Sequence, residues 1–137
     1  DRDEMQRLLH RYGDEAIDIL DLAASDPRLR EPIPSGRYLG AEVLFAVRHE
    51  AALHLDDVLT RRTRLSVECK DRGLDGAPFV ASIMGEELGW DDATIARELE
   101  HYRARVAAEV ESQTKDDDRT ADAARMGAPD IRTMGAE

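Results

Sequence analysis

Cysteine occurs once in the 137 residues, as Cys69. No disulfide can therefore close within the chain, and a reducing compartment fits that usage. Aromatic side chains make up only 4% of the sequence, so a core has to come from Leu, Val, Ile and Ala. That supply favours helices over sheets, because Ala and Leu are strong helix formers while strands draw on β-branched and aromatic residues. None of the nine glycines forms a Gly-x-Gly pair, which leaves no dinucleotide fingerprint and no phosphate-cradling loop. A Gly-x-Ser-x-Gly elbow is missing too, and one Cys with four His gives no convincing nucleophile–base pair. Positive charge is short: the formal net charge of -11 argues against nucleic acid as the partner, since phosphates need a cationic footprint. No apolar run approaches the ~20 residues of a membrane span, and Asp1-Arg2-Asp3 does not open a signal peptide. A first residue other than Met fits a piece of a longer chain.

The residues present describe one soluble domain. Hydrophobic residues at 42% and charged residues at 36% give an ordinary core and a rich ionic surface. Met5, Leu8, Leu9 and Tyr12 repeat at helical spacing before Gly13. Asp14 is placed to cap a second helix with Ile17, Leu20 and Ala24 on one face and Ile19 and Ala23 beside it. Pro27, Pro32 and Pro34 predict an irregular connector over about residues 25–36. The stretch from Tyr38 to Leu53 is the most apolar, with Glu42 as the only charge between Arg37 and Arg48. Apolar on nearly all sides, it predicts a central helix, and Glu42 is a candidate buried polar residue that needs a partner there. Leu55 to Leu59 reads as a short capped helix, followed by an amphipathic stretch ending at Gly73. Pro78 marks a helix start and Gly89 its end, with Phe79, Val80, Ile83, Met84 and Leu88 as core. Asp91 or Asp92 opens the longest helix, striped by Ile95, Leu99, Tyr102, Val106 and Val110. The predicted fold class is all-α: a compact domain of six or seven helices over residues 1–112. A flexible acidic tail is expected over residues 113–137, where Asp116–Asp118 and few apolar residues cannot offset chain entropy.

Two motifs need weighing. His49-Glu50-Ala51-Ala52-Leu53-His54 resembles a zinc-protease signature with one residue too many, since two His five apart sit about 140° from each other on a helix. No metal is expected; the two histidines suit a helix C-terminal end instead. Arg61-Arg62-Thr63-Arg64 places three guanidiniums in four residues of an acidic chain. One reading is recognition of carboxylate or phosphate, for which the planar fork suits Arg. The other is local pairing, Asp57 with Arg61 and Arg64 with Glu68, each four apart. Arg48, Asp57, Arg61, Arg62, Thr63 and Arg64 are the candidate contact residues; sequence spacing does not place Arg48 or Arg72 against the cluster. No catalytic or cofactor-binding residue is assigned.

The run Ala41-Glu42-Val43-Leu44-Phe45-Ala46-Val47-Arg48-His49-Glu50, then Leu55-Asp56-Asp57-Val58-Leu59-Thr60-Arg61-Arg62-Thr63-Arg64-Leu65, resembles the C-terminal domain of the glycerol-3-phosphate dehydrogenase/oxidase family. Leu8-Leu9-x-Arg11-Tyr12-Gly13 upstream and Glu86-Glu87-Leu88-Gly89-Trp90 downstream extend the likeness over roughly residues 4–110. Phe45 stands where many relatives carry Tyr, which removes one hydroxyl. The resemblance implies a parent enzyme that oxidises sn-glycerol 3-phosphate to dihydroxyacetone phosphate with FAD. Electrons then pass to quinone or oxygen. It further implies that an N-terminal FAD- and substrate-binding body is the partner of this domain, which itself acts as a non-catalytic cap without its own cofactor. A cytoplasmic location, peripheral to the inner face of the membrane, goes with it, and a homo-oligomer stays open. The alternative is a stand-alone helical adaptor whose partner reads the Arg61–Arg64 cluster.

Overall fold

A computed structural model describes residues 1–113, and within them the architecture is helical throughout. The elements are α1 (Arg2–Tyr12), a 3-10 turn (Gly13–Glu15), α2 (Ala16–Ser25), α3 (Pro27–Arg30), α4 (Gly40–His49), a π-helical turn (Asp57–Arg62), α5 (Leu65–Glu68), α6 (Ala77–Leu88) and α7 (Asp92–Gln113). The only strand-like pairing among the described residues is an isolated bridge between Pro32 and Leu39. The tail expected over residues 113–137 lies outside the described residues, apart from Gln113, which closes α7.

Helix α4 is the centre, as its all-round apolarity predicts. Every residue from Gly40 to Ala46 is buried, and α4 packs against α2, α3, α6 and the π-helical turn. Helix α6 lies between α4 and α7 and buries Val80, Ile83 and Met84. It ends at Gly89 in the left-handed conformation, φ 72° and ψ 32°, where glycine carries no Cβ penalty. The core is continuous, from Leu8 on α1 through Ile19, Val43 and Phe45 to Tyr102 on α7.

The structure corrects several expectations. The central helix ends at His49, four residues before Leu53, because Ala51 turns left-handed at φ 56°. The Ala52 N–H then closes on the Ala46 carbonyl at 3.1 Å, a C-terminal wrap usually built on glycine. The connector holds a helix after all: Asp26 caps it by accepting from the Arg28 N–H at 2.9 Å, and Pro27 occupies the first turn, where its missing N–H costs nothing. Proline that breaks α2 thus starts α3. Asp14 caps no helix; it sits in the 3-10 turn. On α2 the inward face is Ala16, Ile19 and Ala23, while Ile17 and Ala24 are exposed. Ile17 and Ile19 are two positions and about 200° apart, so the stripe is the one drawn beside it. On α7 only Tyr102 of the predicted stripe is fully buried, and Val110 near the helix end is exposed.

Candidate functional site

The segment joining α4 to α5 is held by a dense set of side-chain hydrogen bonds. Beyond the Ala51 turn the chain needs acceptors for its backbone N–H groups, and two acidic side chains supply them. Asp57 Oδ2 accepts from the N–H groups of Leu53 and His54, both at 3.0 Å. Glu98, reaching across from α7, accepts from the Leu55 N–H at 3.0 Å and pairs with His54 Nδ1 at 2.8 Å. Leu55, Val58 and Leu59 are thereby held fully inside the core. The expected short helix widens into a π-turn, whose signature is the Thr63 N–H donating to the Val58 carbonyl at 2.7 Å. The Thr63 hydroxyl donates to the same carbonyl at 2.8 Å. Widened turns of this kind recur at functional sites.

That turn carries the arginines. Arg61 Nη1 donates to Asp57 Oδ1 at 2.8 Å, the predicted four-apart pair. Arg62 donates to the Glu50 carbonyl at 2.8 Å, with the Glu50 carboxylate 3.8 Å away. Arg64 behaves differently. The expected pair with Glu68 does not form, because Arg64 lies outside α5 as its N-cap, and the Glu68 carboxylate sits instead at the Tyr38 hydroxyl, at 3.3 and 3.4 Å. Among the described residues the Arg64 guanidinium meets no carboxylate; its backbone is engaged, the N–H donating to the Tyr38 hydroxyl at 3.3 Å and the carbonyl accepting from the Val67 and Glu68 N–H groups at 2.9 and 2.7 Å. Arg48 does not join the group. It ties α4 to α6 through Glu87 at 2.9 and 3.2 Å, while the Arg72 side chain reaches Gln113. His49 is on the last turn of α4 against Phe45, at 4.8 Å between rings. His54 is not on the last turn of α4, since the chain has already turned away before it; it stands just before the helical turn that begins at Leu55.

Glu42 has the partner its burial demands. Its side chain is 0% exposed and takes four donors on two oxygens. Arg7 binds in a fork at 2.9 and 2.8 Å, the Tyr12 hydroxyl at 2.9 Å, and the Leu39 N–H at 2.6 Å. The last bond reaches back to the start of α4 and caps it. The hydrogen bond to Glu42 raises the Arg7 pKa, and burial, reinforced by the Glu42 charge, pushes the Tyr12 phenol up. Burial also raises Tyr102, whose hydroxyl donates to the Arg72 carbonyl.

Sequence reasoning did not single out Glu98, Arg11 or the Tyr38 ring. Glu98 had a signal: it stands three after Ile95 and four before Tyr102, on their face of α7. The Tyr38 contacts cross between distant segments and leave no local spacing to read.

Burial raises the Cys69 thiol, with Asp71 and Glu68 adding to the shift, and its Sγ donates to the Ser35 carbonyl at 3.2 Å; such a thiol stays protonated. Among the described residues no three His, Cys, Asp or Glu side chains converge as a metal site needs, and no helix is long and apolar enough to cross a membrane. A flavin would find no strand–glycine turn–helix cradle here, because these residues contain neither the strand nor the Gly-x-Gly turn.

Residues 1–95 match the model of the C-terminal domain of alpha-glycerophosphate oxidase. Glycerol-3-phosphate dehydrogenase 2 of Mycobacterium tuberculosis is 47% identical over 129 residues, covering 93% of this chain and 22% of that protein. Glycerol-3-phosphate dehydrogenase of Mycobacterium leprae is 46% identical over 94% of this chain and 22% of its own length. The mitochondrial glycerol-3-phosphate dehydrogenase of Bos taurus is 33% identical over 72% of this chain and 14% of its own length. The chain thus spans about a fifth of its mycobacterial relatives, and the likeness runs past Gln113, further than the motifs read from the sequence. No solved structure matches.

Proposed function

This chain belongs to the family of C-terminal domains of alpha-glycerophosphate oxidase, and on that premise we propose that it is the cap of a flavin-dependent glycerol-3-phosphate dehydrogenase. The parent reaction is oxidation of sn-glycerol 3-phosphate to dihydroxyacetone phosphate, with FAD as hydride acceptor and quinone as the next acceptor. In this reading FAD and substrate are held by an N-terminal body, and the parent works in the cytoplasm, peripheral to the inner face of the membrane. The observation that carries the proposal is the match of family and relatives to a domain without a flavin cradle. The present chain contributes a rigid surface: the Asp57–Arg64 turn is fixed from behind by Asp57, Glu98 and Thr63, so its arginines are presented on a preorganised backbone.

The test is removal of everything from Asp1 onward in the full-length enzyme. The shortened body is expected to release FAD faster and to lose turnover with glycerol 3-phosphate. Unchanged flavin retention and turnover would defeat the cap reading. Full-length Arg61→Ala and Arg62→Ala variants should show the same loss in weaker form.

A further inference from the structure

Helix α2 is apolar on more than one flank, and the fold buries only part of that surface. Ala16, Ile19 and Ala23 face the core. Ile17, Leu20 and Ala24 follow one another at steps of three and four, so they share a neighbouring flank. Ile17 is 62% exposed, Leu20 is half-buried and Ala24 is exposed. The flank borders a groove of about 240 Å3, where Leu20, Ala23 and Ala24 meet Glu4 of α1, Arg30 of α3 and Leu39 at the start of α4. Helix α1 repeats the pattern: Leu8 is buried, while Met5 and Leu9, one turn apart, are 40% and 49% exposed.

Exposed apolar residues scattered singly are ordinary on a protein surface, and Leu53, Val67 and Val110 are of that kind. The other three large hydrophobics exposed among the described residues are Met5, Leu9 and Ile17, all on the first two helices. Nothing about the groove selects a charged ligand. Glu4 and Arg30 are of opposite sign, and Arg30 Nε is already engaged by the Ala23 carbonyl at 2.9 Å. Asp18 and Asp21, both exposed, edge the flank of α2 and give it the polar rim usual around an apolar contact.

We infer that the Ile17–Leu20–Ala24 flank and its groove seat an apolar patch of the parent's own N-terminal body. This rests on the cap reading above and extends it, adding an apolar contact at α2 to the surface of the Asp57–Arg64 turn. The occupant follows from how the chain is joined. The family is one of C-terminal domains, and this chain is about a fifth of its mycobacterial relatives, so in the parent the body runs into α1. Asp1 already caps that helix, accepting from the Asp3 N–H at 3.0 Å. The cap's side of the junction therefore has no slack, and the body is held beside the first two helices. A tethered partner meets a nearby apolar surface at high effective concentration, ahead of partners in solution.

The experiment places a photoreactive benzophenone side chain at position 17 of the full-length enzyme and maps the product by mass spectrometry. The expected product is a cross-link within one chain, to a peptide that precedes residue 1. Cross-links only to residues 114–137, or only to a second copy of the chain, overturn the inference. So does a yield no higher than that from the same side chain at Val110 on α7. In parallel, FAD release is followed for wild type, Ile17→Asp, Ile17→Leu and the control Val110→Asp. A carboxylate forced into an apolar contact should make release from Ile17→Asp roughly tenfold faster, with Ile17→Leu and Val110→Asp matching wild type. Position 17 is exposed and lies in the first turn of α2, where an acidic residue suits the helix, so the fold of the cap is not at stake. Release from Ile17→Asp equal to that from Val110→Asp also overturns the inference. The body ended before Asp1 separates the two levels. If it keeps FAD as well as the full chain, the cap reading falls; if it loses FAD while either test at position 17 fails, only the present inference falls.

Discussion

Replacing Glu42 by Gln is the sharpest probe of how this fold is held. The side chain is 0% exposed, and four donors converge on its two oxygens, two on each. Gln has one oxygen, so in either orientation its NH2 group points at two donors. Two hydrogen bonds disappear, a donor faces donors, and the Arg7 guanidinium, 22% exposed, keeps its charge without its counter-ion. Removing one member of a buried pair costs about 3–5 kcal/mol. The partial exposure of Arg7 argues for the lower end, about 3 kcal/mol for Glu42→Gln. Replacing both members by Met should cost less than the sum of the single changes, because no uncompensated charge remains. The assay is urea unfolding followed by far-ultraviolet circular dichroism, with Arg7→Met, Glu42→Met and the double variant forming the cycle. A cost below about 1 kcal/mol for Glu42→Gln, or strict additivity of the two Met changes, would refute the view that Glu42 is the ionic hub joining α1 to α4.

Two further outcomes are expected for the same chain. Ala51, exposed at φ 56°, closes α4 in a conformation that costs an L-residue roughly 1 kcal/mol, so Ala51→Gly should raise stability by about 0.5–1 kcal/mol in urea unfolding; a lower midpoint would contradict the assignment of strain there. The phenols of Tyr12 and Tyr102 are raised by burial, with nearby carboxylates adding to it. A raised folded-state pKa means the folded chain holds these protons more tightly. The resulting stability is complete below the ordinary phenol value of about 10 and is lost as pH climbs through the folded value. Spectrophotometric titration should find those two tyrosines ionising late and together with unfolding, and free ionisation at the ordinary value would show them to be solvated.

Much of the fold was legible in local sequence because its signals are local. Helical spacing marks α1, α6 and α7, Pro78 and Gly89 bracket α6, and the apolarity from Leu39 to Val47, broken only by Glu42, marks α4 as central, since a helix without a polar face has to be surrounded. The same sequence announced that Glu42 needs a partner and that Asp57 and Arg61 are a helical turn apart. It also carried the family likeness and the want of a flavin cradle. What it left open depends on residues far apart in the chain. That Arg7 and Tyr12 serve Glu42, that Glu98 reaches from α7 to hold Leu55, and that Arg11 lies over the Tyr38 ring while the Arg64 N–H reaches its hydroxyl are facts of packing between segments. The early end of α4 at His49 belongs there too, because Ala51 adopts a left-handed turn that its own propensity opposes and that burial of Ala52 and Leu55 enforces. Local propensity is worth tenths of a kcal/mol per residue, whereas burying a Leu is worth about 2 kcal/mol. Where the two conflicted, the core decided.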